Sequence, residues 1–173
     1  MHAALPRSMK DTIDALELLR MQHKEVEDLI GEIEDSDDPG EKAALFAEVA
    51  DKIAAHSTIE EKIFYPAVMA DKTRELLVES VEEHLSVKRV LADMLALDVE
   101  DEHFDAKLSV LKEQIRHHAH DEEEDTLFPK VRKLMSKDEL AALGNELMAM
   151  FELLLEKAPR KNVPAETAAP API

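Results

Sequence analysis

Two segments of the chain repeat one pattern. Residues 56–64 read His-Ser-Thr-Ile-Glu-Glu-Lys-Ile-Phe, and residues 120–128 read His-Asp-Glu-Glu-Glu-Asp-Thr-Leu-Phe. In each segment a glutamate follows the first histidine by four residues and a phenylalanine ends the segment. Residues four apart lie on one face of an α-helix, so each segment can aim an imidazole and a carboxylate at the same point. Both segments are therefore predicted to be helical, with two metal-ligand types on one face.

A lone histidine precedes each of these segments. His23 lies before the first segment and His84 lies before the second, each within a stretch whose apolar residues recur in steps of three and four. That period is typical of an amphipathic helix. The chain therefore divides into two helical hairpins, each supplying a His and then a His-x-x-x-Glu, and this repeat predicts a pseudo-two-fold bundle.

The composition favours an all-α fold. The 173 residues include 3 Gly and only 3% aromatic residues, whereas Ala, Leu, Glu, Lys and Met, which lose little rotamer freedom in a helix, are frequent. A chain of this length fits one domain. We predict an all-α, up-down-up-down four-helix bundle with a short C-terminal fifth helix over residues 1–157, followed by a disordered, Pro- and Ala-rich tail over residues 158–173.

Turn and capping residues give the expected bounds of the helices. The acidic, turn-rich residues 35–40 end the first helix. Ser136 and Glu139 have the spacing of a capping box, which predicts the start of the fifth helix. The second, third and fourth helices are expected at about 41–70, 72–97 and 104–135.

Histidines and glutamates interrupt the apolar seams of these helices. A single seam histidine is usually a core residue that hydrogen-bonds to a neighbour, but here several fall at similar heights if the helices alternate in direction. Burying two uncompensated carboxylates is costly, so the cluster predicts bound cations. The predicted metal ligands are His23, His56, Glu60, His84, His120 and Glu124.

Two registers compete in the fourth helix. A straight helix continues the apolar stripe from Ile115 onto His118, which would pair with Glu122 four residues later. The repeat instead favours His120 with Glu124, because His120 and His56 both lie eight residues before a phenylalanine. We choose His120 and Glu124, with a π-bulge between Ile115 and His120 reconciling the two apolar phases.

The metal chemistry is narrowed by what the chain lacks. Its sequence contains no cysteine, which excludes thiolate zinc, iron–sulfur ligation, disulfides and cysteine nucleophiles. Imidazole and carboxylate suit iron, zinc or manganese. Two glutamates shared between two metals, with two imidazoles on each, leave coordination positions open, which favours redox-active iron over structural zinc.

The charge and hydropathy indicate which partners to expect. With 21 basic and 39 acidic residues the net charge is −18, and such a surface repels a phosphate backbone. No apolar run approaches the roughly 18 residues of a membrane-spanning helix, and residues 1–10 lack the apolar middle of a signal peptide. We expect a cytoplasmic protein without nucleic-acid or membrane partners.

Residues from about 10 to 135 resemble the hemerythrin-like, or HHE cation-binding, family. The resemblance rests on the ordered histidine and His-x-x-x-Glu motifs and on the Phe-Tyr-Pro and Leu-Phe-Pro endings at 64–66 and 127–129. It implies two iron ions in an oxo- or hydroxo-bridged di-iron centre. By resemblance His23 and His56 would ligate one iron, His84 and His120 would ligate the other, and Glu60 and Glu124 would bridge them.

One position departs from the oxygen-carrying hemerythrins, whose third helix supplies His-x-x-x-His. Four residues after His84 this chain has Lys88. The loss of one imidazole leaves that iron more open, which resembles the family branch linked to peroxide chemistry, nitric oxide or iron–sulfur repair. Lys88 is either a seam lysine whose ammonium reaches solvent or a hydrogen-bond donor to bound peroxide. Tyr65 is expected to pack at a helix end, with a redox relay as the alternative. His117 is expected either to support the ligands or to serve as an extra ligand.

Three functions are compatible with these residues. The first is a di-iron protein that binds or reduces a small oxidant such as O2, peroxide or NO. The second is an iron-handling or iron- or oxygen-sensing module without turnover. The third is a purely structural helical protein. Metal analysis separates the third from the other two, and peroxide turnover separates the first from the second.

Overall fold

A computed structural model describes residues 13–173, and every regular element within this range is helical. The predicted all-α fold is confirmed. Residues 1–12, and with them the stretch used to argue against a signal peptide, lie outside the described residues. The helices are α1 (Ala15–Asp35), α2 (Pro39–Ile59), α3 (Tyr65–Ala67), α4 (Arg74–Leu95), α5 (Glu102–Arg116), α6 (Phe128–Leu134) and α7 (Lys137–Leu155).

Two π-helical segments join helices into longer rods. Glu60–Phe64 connects α2 to α3, and His117–Leu127 connects α5 to α6. A π-helix closes its backbone hydrogen bonds between residues five apart, so it shifts the phase of the faces that follow it. The sequence predicted one such bulge after Ile115. The structure has π-helical backbone there, but it starts at His117 and extends over eleven residues.

The helices begin where the sequence provides caps. The Asp14 carboxylate accepts a hydrogen bond from the Glu17 amide at 2.9 Å, and the Ser136 hydroxyl accepts one from the Glu139 amide at 3.2 Å, each as part of a capping box. These bonds satisfy amide groups that have no partner within the first turn. Asp38 caps α2 in the same way, directly before Pro39 at the first helical position.

Two apolar clusters form the core. One contains Leu19, Ile59, Leu77, Leu127 and Phe128, and the other contains Ile30, Ile53, Leu91, Phe104 and Leu111. The four long rods are α1, α2 with α3, α4, and α5 with α6. Each rod contributes to both clusters, and α1 packs along α2 and α4 along α5. A stretch of buried polar residues separates the two clusters on every rod.

Helix α7 covers one side of this assembly. It packs against α1 and α2, and its buried Leu143 and Leu147 join the first cluster. Gly144 allows a close approach, because a Cβ atom at this position would lie 2.6 Å from the carbonyl oxygen of Ile13. Among residues 13–173 no helix is both long and apolar enough to cross a membrane.

The C-terminal residues depart from the predicted disordered tail. Pro159–Glu166 forms a 3₁₀ helix that packs against α2 and α4. Val163 is buried, and the Arg160 guanidinium contacts the Asp51 carboxylate at 2.5 Å. The composition suggested too little apolar surface for order, but buried apolar residues and ion pairs with α2 and α4 hold this segment.

Candidate metal centre

A buried polar centre lies between the two apolar clusters. Its position follows from the rods themselves, since His23 stands between Leu19 of the first cluster and Ile30 of the second. Every side chain of the centre is buried, and two of its carboxylates are completely inaccessible. The buried polar residues of this centre include Gln22, His23, His56, Glu60, Glu61, His84, Lys88, His118 and Glu123.

Four imidazoles face one another in two pairs. The Nε2 atoms of His23 and His56 are 3.2 Å apart, and those of His84 and His118 are 3.0 Å apart. Each pair joins two different rods, α1 with α2 and α4 with the second π-helical segment. Donor atoms from distant parts of the chain therefore converge at two neighbouring points.

Glu60 lies between the two pairs. Its Oε1 atom is 2.9 Å from His56 Nε2, and its Oε2 atom is 3.0 Å from His84 Nε2. Because one carboxylate oxygen faces each histidine pair, Glu60 has the geometry of a group that bridges two cations.

Glu123 completes both groups. Its Oε1 atom is 2.5 Å from His118 Nε2, and its Oε2 atom is buried without a hydrogen-bond partner. The donor atoms form two sets. The atoms within each set lie within 4.8 Å of one another, and both sets include the two carboxylates. The sets are His23, His56, Glu60 and Glu123, and Glu60, His84, His118 and Glu123.

The donor set fits two metal cations. Glu123 Oε2 is buried without a hydrogen-bond partner, and Glu60 Oε1 makes no hydrogen bond of good geometry although His56 Nε2 lies 2.9 Å away. Two buried carboxylates this close are unfavourable unless positive charge lies between them. Two imidazoles and two shared carboxylates per position are suitable ligands for a first-row metal. A metal ion bound at each position would give these two carboxylate oxygen atoms a partner.

Acceptors at Nδ1 orient three of the four histidines. The Nδ1 atom of His56 is 2.7 Å from Gln22 Oε1, and that of His84 is 2.9 Å from Glu61 Oε1. An acceptor at Nδ1 keeps the proton there and leaves the Nε2 lone pair free for a metal. His118 Nδ1 has a longer contact at 3.3 Å from Glu83, whereas His23 Nδ1 is buried without a hydrogen-bond partner, 3.5 Å from Glu124.

The charges of the centre favour ionised carboxylates. Burial alone would raise the pKa of Glu60, but the charge of His56 and hydrogen bonds with the surrounding histidines hold that pKa well below its ordinary value. Burial alone would lower the pKa of His118, but the Glu123 carboxylate raises it well above its ordinary value. Without a metal, a proton on His118 therefore supplies part of the missing positive charge.

The structure brings together four of the six predicted ligands and separates the other two. His23, His56, Glu60 and His84 lie in the centre, but the remaining places are taken by His118 and Glu123. The His120 side chain is 41% exposed, with Nε2 at 2.5 Å from Glu27 and Nδ1 against Glu124. The reason is the π-helical backbone, which places residues five apart, His118 and Glu123, on the inward face.

The sequence over residues 14–131 matches a known family model, which is described as the hemerythrin HHE cation binding domain. The chain belongs to the hemerythrin HHE family. The family predicted from the sequence is thereby confirmed.

Two individual proteins are similar to this HHE domain. A crystal structure of a hemerythrin HHE cation binding domain-containing protein from Mycobacterium kansasii superposes with a TM-score of 0.75 and 25% identity, covering 87% of this chain and 92% of that one. A protein of Nostoc sp. strain PCC 7120 described as a DNA nickase is 26% identical over 142 residues. That match covers 82% of this chain but only 40% of the relative.

Tyr65 lies inside the HHE centre and not merely at a helix end. Its hydroxyl is 3.1 Å from Glu60 Oε2, 3.2 Å from His84 Nε2 and 3.4 Å from Glu123 Oε1. Burial, together with the negative charges of Glu123 and Glu60, raises its pKa well above the ordinary value. The hydroxyl therefore keeps its proton and is a hydrogen-bond donor to the carboxylates. The π-helical turn explains this placement, since Tyr65 follows Glu60 by five residues.

Lys88 is a buried ion-pair partner. Its Nζ atom lies 2.9 and 3.1 Å from the two oxygen atoms of Glu61, which also accepts from His84 Nδ1. The ammonium is buried and so does not reach solvent, which was one of the two roles considered from the sequence. The other role, a hydrogen-bond donor to bound peroxide, stays a prediction. A signal was present in the sequence: a lysine four residues after a seam histidine shares its face and needs a counter-charge, which Glu61 provides beside Glu60.

Proposed function

We propose that this HHE domain is a non-haem di-iron protein that binds or reduces a small oxidant, O2, peroxide or NO. The observation that carries the proposal is Glu60, whose two oxygen atoms each face a different histidine pair at 2.9 and 3.0 Å. A single carboxylate arranged in this way, with a second one shared, suits two metals at bridging distance.

The proposed ligand set follows the geometry in place of the sequence repeat. His118 and Glu123 replace His120 and Glu124 as ligands, because their donor atoms lie within the two groups and those of His120 do not. The proposed iron ligands are His23, His56, Glu60, His84, His118 and Glu123.

Iron is favoured over zinc on coordination number. The two imidazoles and two shared carboxylates of each position would complete a four-coordinate zinc, whereas iron takes more than four ligands and keeps positions for a small molecule. When bound, iron supplies a redox change and an open position to a small molecule. The protein side chains supply the rest: they hold the imidazole protons at Nδ1, keep the carboxylates ionised and exclude bulk water.

A cavity beside the histidines gives room for the oxidant. Its volume is about 40 Å³, and all four histidines of the proposed ligand set line it together with apolar side chains that include Val26, Ile53 and Val87. A water-sized sphere needs roughly 10–15 Å³ by this measure, so a diatomic molecule fits. The apolar wall favours an uncharged ligand.

The scaffold proposed for this function is an up-down-up-down bundle with α7 as the additional helix. The order of the clusters along the rods supports it. Helix α1 runs from the first cluster to the second, α2 returns, α4 repeats the first direction and α5 with its π-helical extension returns again. Such alternation brings four ligand-bearing segments to one height.

DNA cleavage is not part of the proposal, although one relative is described as a DNA nickase. This chain spans only 40% of that relative, and its net charge of −18 opposes contact with phosphates. The cytoplasm remains the expected location.

A sensing role is the second candidate, and it rests on one observation. Glu166 of the C-terminal 3₁₀ helix lies 3.7 Å from Lys88, which pairs with Glu61 at the Nδ1 atom of His84. A chain of charges therefore runs from a proposed ligand to a surface segment, and a change at the centre can reach a partner there.

Metal analysis combined with ligand titration tests the proposal. We expect about two irons per chain after purification and iron loading, and a change in the optical spectrum when NO is added to the reduced protein without oxygen. The His103→Ala variant is the matched control, since that histidine is 70% exposed. A protein that retains one zinc per chain, or that holds iron but binds neither NO nor peroxide, would contradict the proposal.

A further inference from the structure

A cavity and a surface groove share one lining side chain, Gln22. The first is the small cavity beside the histidines. The second is an open groove of about 460 Å³ between α1, α2 and α7. Gln22 lines both, so it forms the wall between the surface and the proposed iron centre. The apolar side chains of the groove are Leu18, Met21, Met148, Phe151 and Leu155.

The contacts of Gln22 hold it in this wall from one end only. Its Oε1 atom accepts a hydrogen bond from His56 Nδ1 at 2.7 Å. Its Nε2 atom is buried without a hydrogen-bond partner. The side chain is 5% exposed, so water neither bonds to this donor nor fills the space of the side chain. A single hydrogen bond holds the Gln22 side chain, and its buried Nε2 donor is left without a partner.

Charged residues border the groove without entering the cavity. Lys52 Nζ pairs with Glu25 Oε1 at 2.5 Å, which joins α2 to α1 beside Gln22. Beyond Gln22 the cavity wall is formed by imidazoles and by side chains such as Val26 and Ile53. An anion or a hydrated cation would lose hydration as it passes the apolar side chains of this wall. An uncharged diatomic molecule loses little.

We propose that Gln22 is the gate through which an uncharged diatomic ligand, O2 or NO, passes from the α7 groove to the metal centre. This inference rests on the proposed function and adds the route and the residue that controls it. Opening requires the side chain to rotate and to give up its bond to His56. In the closed position the free Nε2–H is available as a donor to the ligand that has entered.

Helix α7 forms part of this route for the ligand. Met148 and Phe151 of α7 form one wall of the groove, and Met21 of α1 lies on another. A larger side chain at Met148 fills the entrance without touching the histidines. Leu153 offers a matched control, because it lies on the same helix, is 54% exposed and does not line the groove.

The test compares Met148→Trp with Leu153→Trp in the full-length, iron-loaded protein. Stopped-flow spectroscopy gives the rates of NO association and dissociation. If the groove is the route, both rates fall in Met148→Trp by roughly tenfold, a change of about 1.4 kcal/mol in the barrier, while the dissociation constant is unchanged. Leu153→Trp keeps the wild-type rates. Met21→Trp repeats the block from α1 should Met148→Trp fail to fold.

A second measurement needs no iron reactivity. Xenon enters dry apolar cavities, and its exchange between solvent and cavity is measured by xenon NMR on the same variants. Gln22→Ala should speed both xenon and NO exchange, and Met148→Trp should slow them. Wild-type rates for both ligands in Met148→Trp or Met21→Trp overturn the gate, as does a change of the NO dissociation rate alone. A wild-type protein that holds iron but binds no diatomic overturns the proposed function instead.

Discussion

The two segments that bring a histidine and a glutamate to the centre do so with different backbones. In the first segment His56 and Glu60 are four residues apart, at the end of an α-helix, and the π-helical turn begins only at Glu60. In the second segment His118 and Glu123 are five residues apart within a π-helix of eleven residues. Both segments therefore present one histidine and one glutamate to the centre. The number of residues between the two differs because an α-helix and a π-helix have different hydrogen-bond periods.

The surroundings of the two segments also differ. The His56 Nδ1 contact to Gln22 is short and buried, whereas the His118 Nδ1 contact to Glu83 is longer and Glu83 is partly exposed. The two segments are equally buried, and only the acceptor of the second one, Glu83, is partly exposed. A comparison of substitutions in the two segments shows whether spacing or surroundings determines metal binding.

The largest effect is expected from the shared carboxylates. Glu60→Ala and Glu123→Ala should each reduce bound iron from about two ions per chain to well below one, because each carboxylate belongs to both groups of donor atoms. Inductively coupled plasma mass spectrometry measures the iron content. Glu124→Ala, in the same π-helical segment, removes from the centre only the 3.5 Å contact with His23 Nδ1 and should retain more iron than either of these variants. Loss of iron from Glu124→Ala with retention in Glu123→Ala would reverse the proposed register.

The next effect compares two histidines of one segment. His118→Ala removes a donor atom of the second group and should reduce the iron content by about one ion per chain. His120→Ala should leave the iron content near that of the wild type, since the His120 ring contacts Glu27 and Glu124 in place of the centre. Iron analysis and the optical spectrum of each variant decide between them. Equal losses in the two variants would show that the segment adopts both registers.

The same segment shows how far sequence reasoning reached. The helices were predictable because apolar spacing and caps act locally, and the places of His23, His56, Glu60 and His84 followed from their seams. The register of the second segment was not. An α-helix and a π-helix over His117–Leu127 place different residues inward, and the choice depends on packing between the rods that no local pattern records. The sequence repeat therefore aligned His120 with His56, although His118 occupies the corresponding place.

The C-terminal segment and the outer residues illustrate a second limit. Val163 is ordered by a surface that α2 and α4 provide together, and a composition rule applied to residues 158–173 cannot include that surface. Gln22, Glu61 and Glu83 likewise look like ordinary polar helix residues in the sequence. Their role depends on which Nδ1 atom each one faces, and that is a tertiary property.

A smaller effect is expected from these outer acceptors. Glu61→Gln should weaken iron binding by roughly 10–100-fold, because Glu61 orients His84 and is itself held by Lys88. Glu83→Gln should weaken it by only a few-fold, since its contact to His118 Nδ1 is longer at 3.3 Å and partly exposed. Competition with a coloured chelator measures both affinities. A larger loss in Glu83→Gln would show that the second segment depends more on its surroundings than the geometry suggests.

The smallest expected effect is a pH dependence of the protein prepared without metal. Burial alone would lower the pKa of His84 and His118, but hydrogen bonds with Glu60 and Glu61 raise the first, and Glu123 raises the second. A raised pKa in the folded state favours folding while the histidine is protonated. That contribution is present below the unfolded pKa of about 6.5 and is lost as the pH rises through the folded pKa.

The melting temperature of the metal-free protein should therefore fall as the pH rises from about 6 to about 9. Each unit of raised pKa corresponds to about 1.4 kcal/mol, which is about 3–5 °C for a chain of this size. Calorimetry at low and high pH measures the trend. The iron-loaded protein should show the opposite slope at acidic pH, because protons compete with iron for the same nitrogen atoms. In His118→Gln the metal-free slope should flatten, whereas in the exposed control His103→Gln it should persist. An unchanged slope in His118→Gln would mean that the contact with Glu123 does not hold a proton, and that the second segment differs from the first in spacing alone.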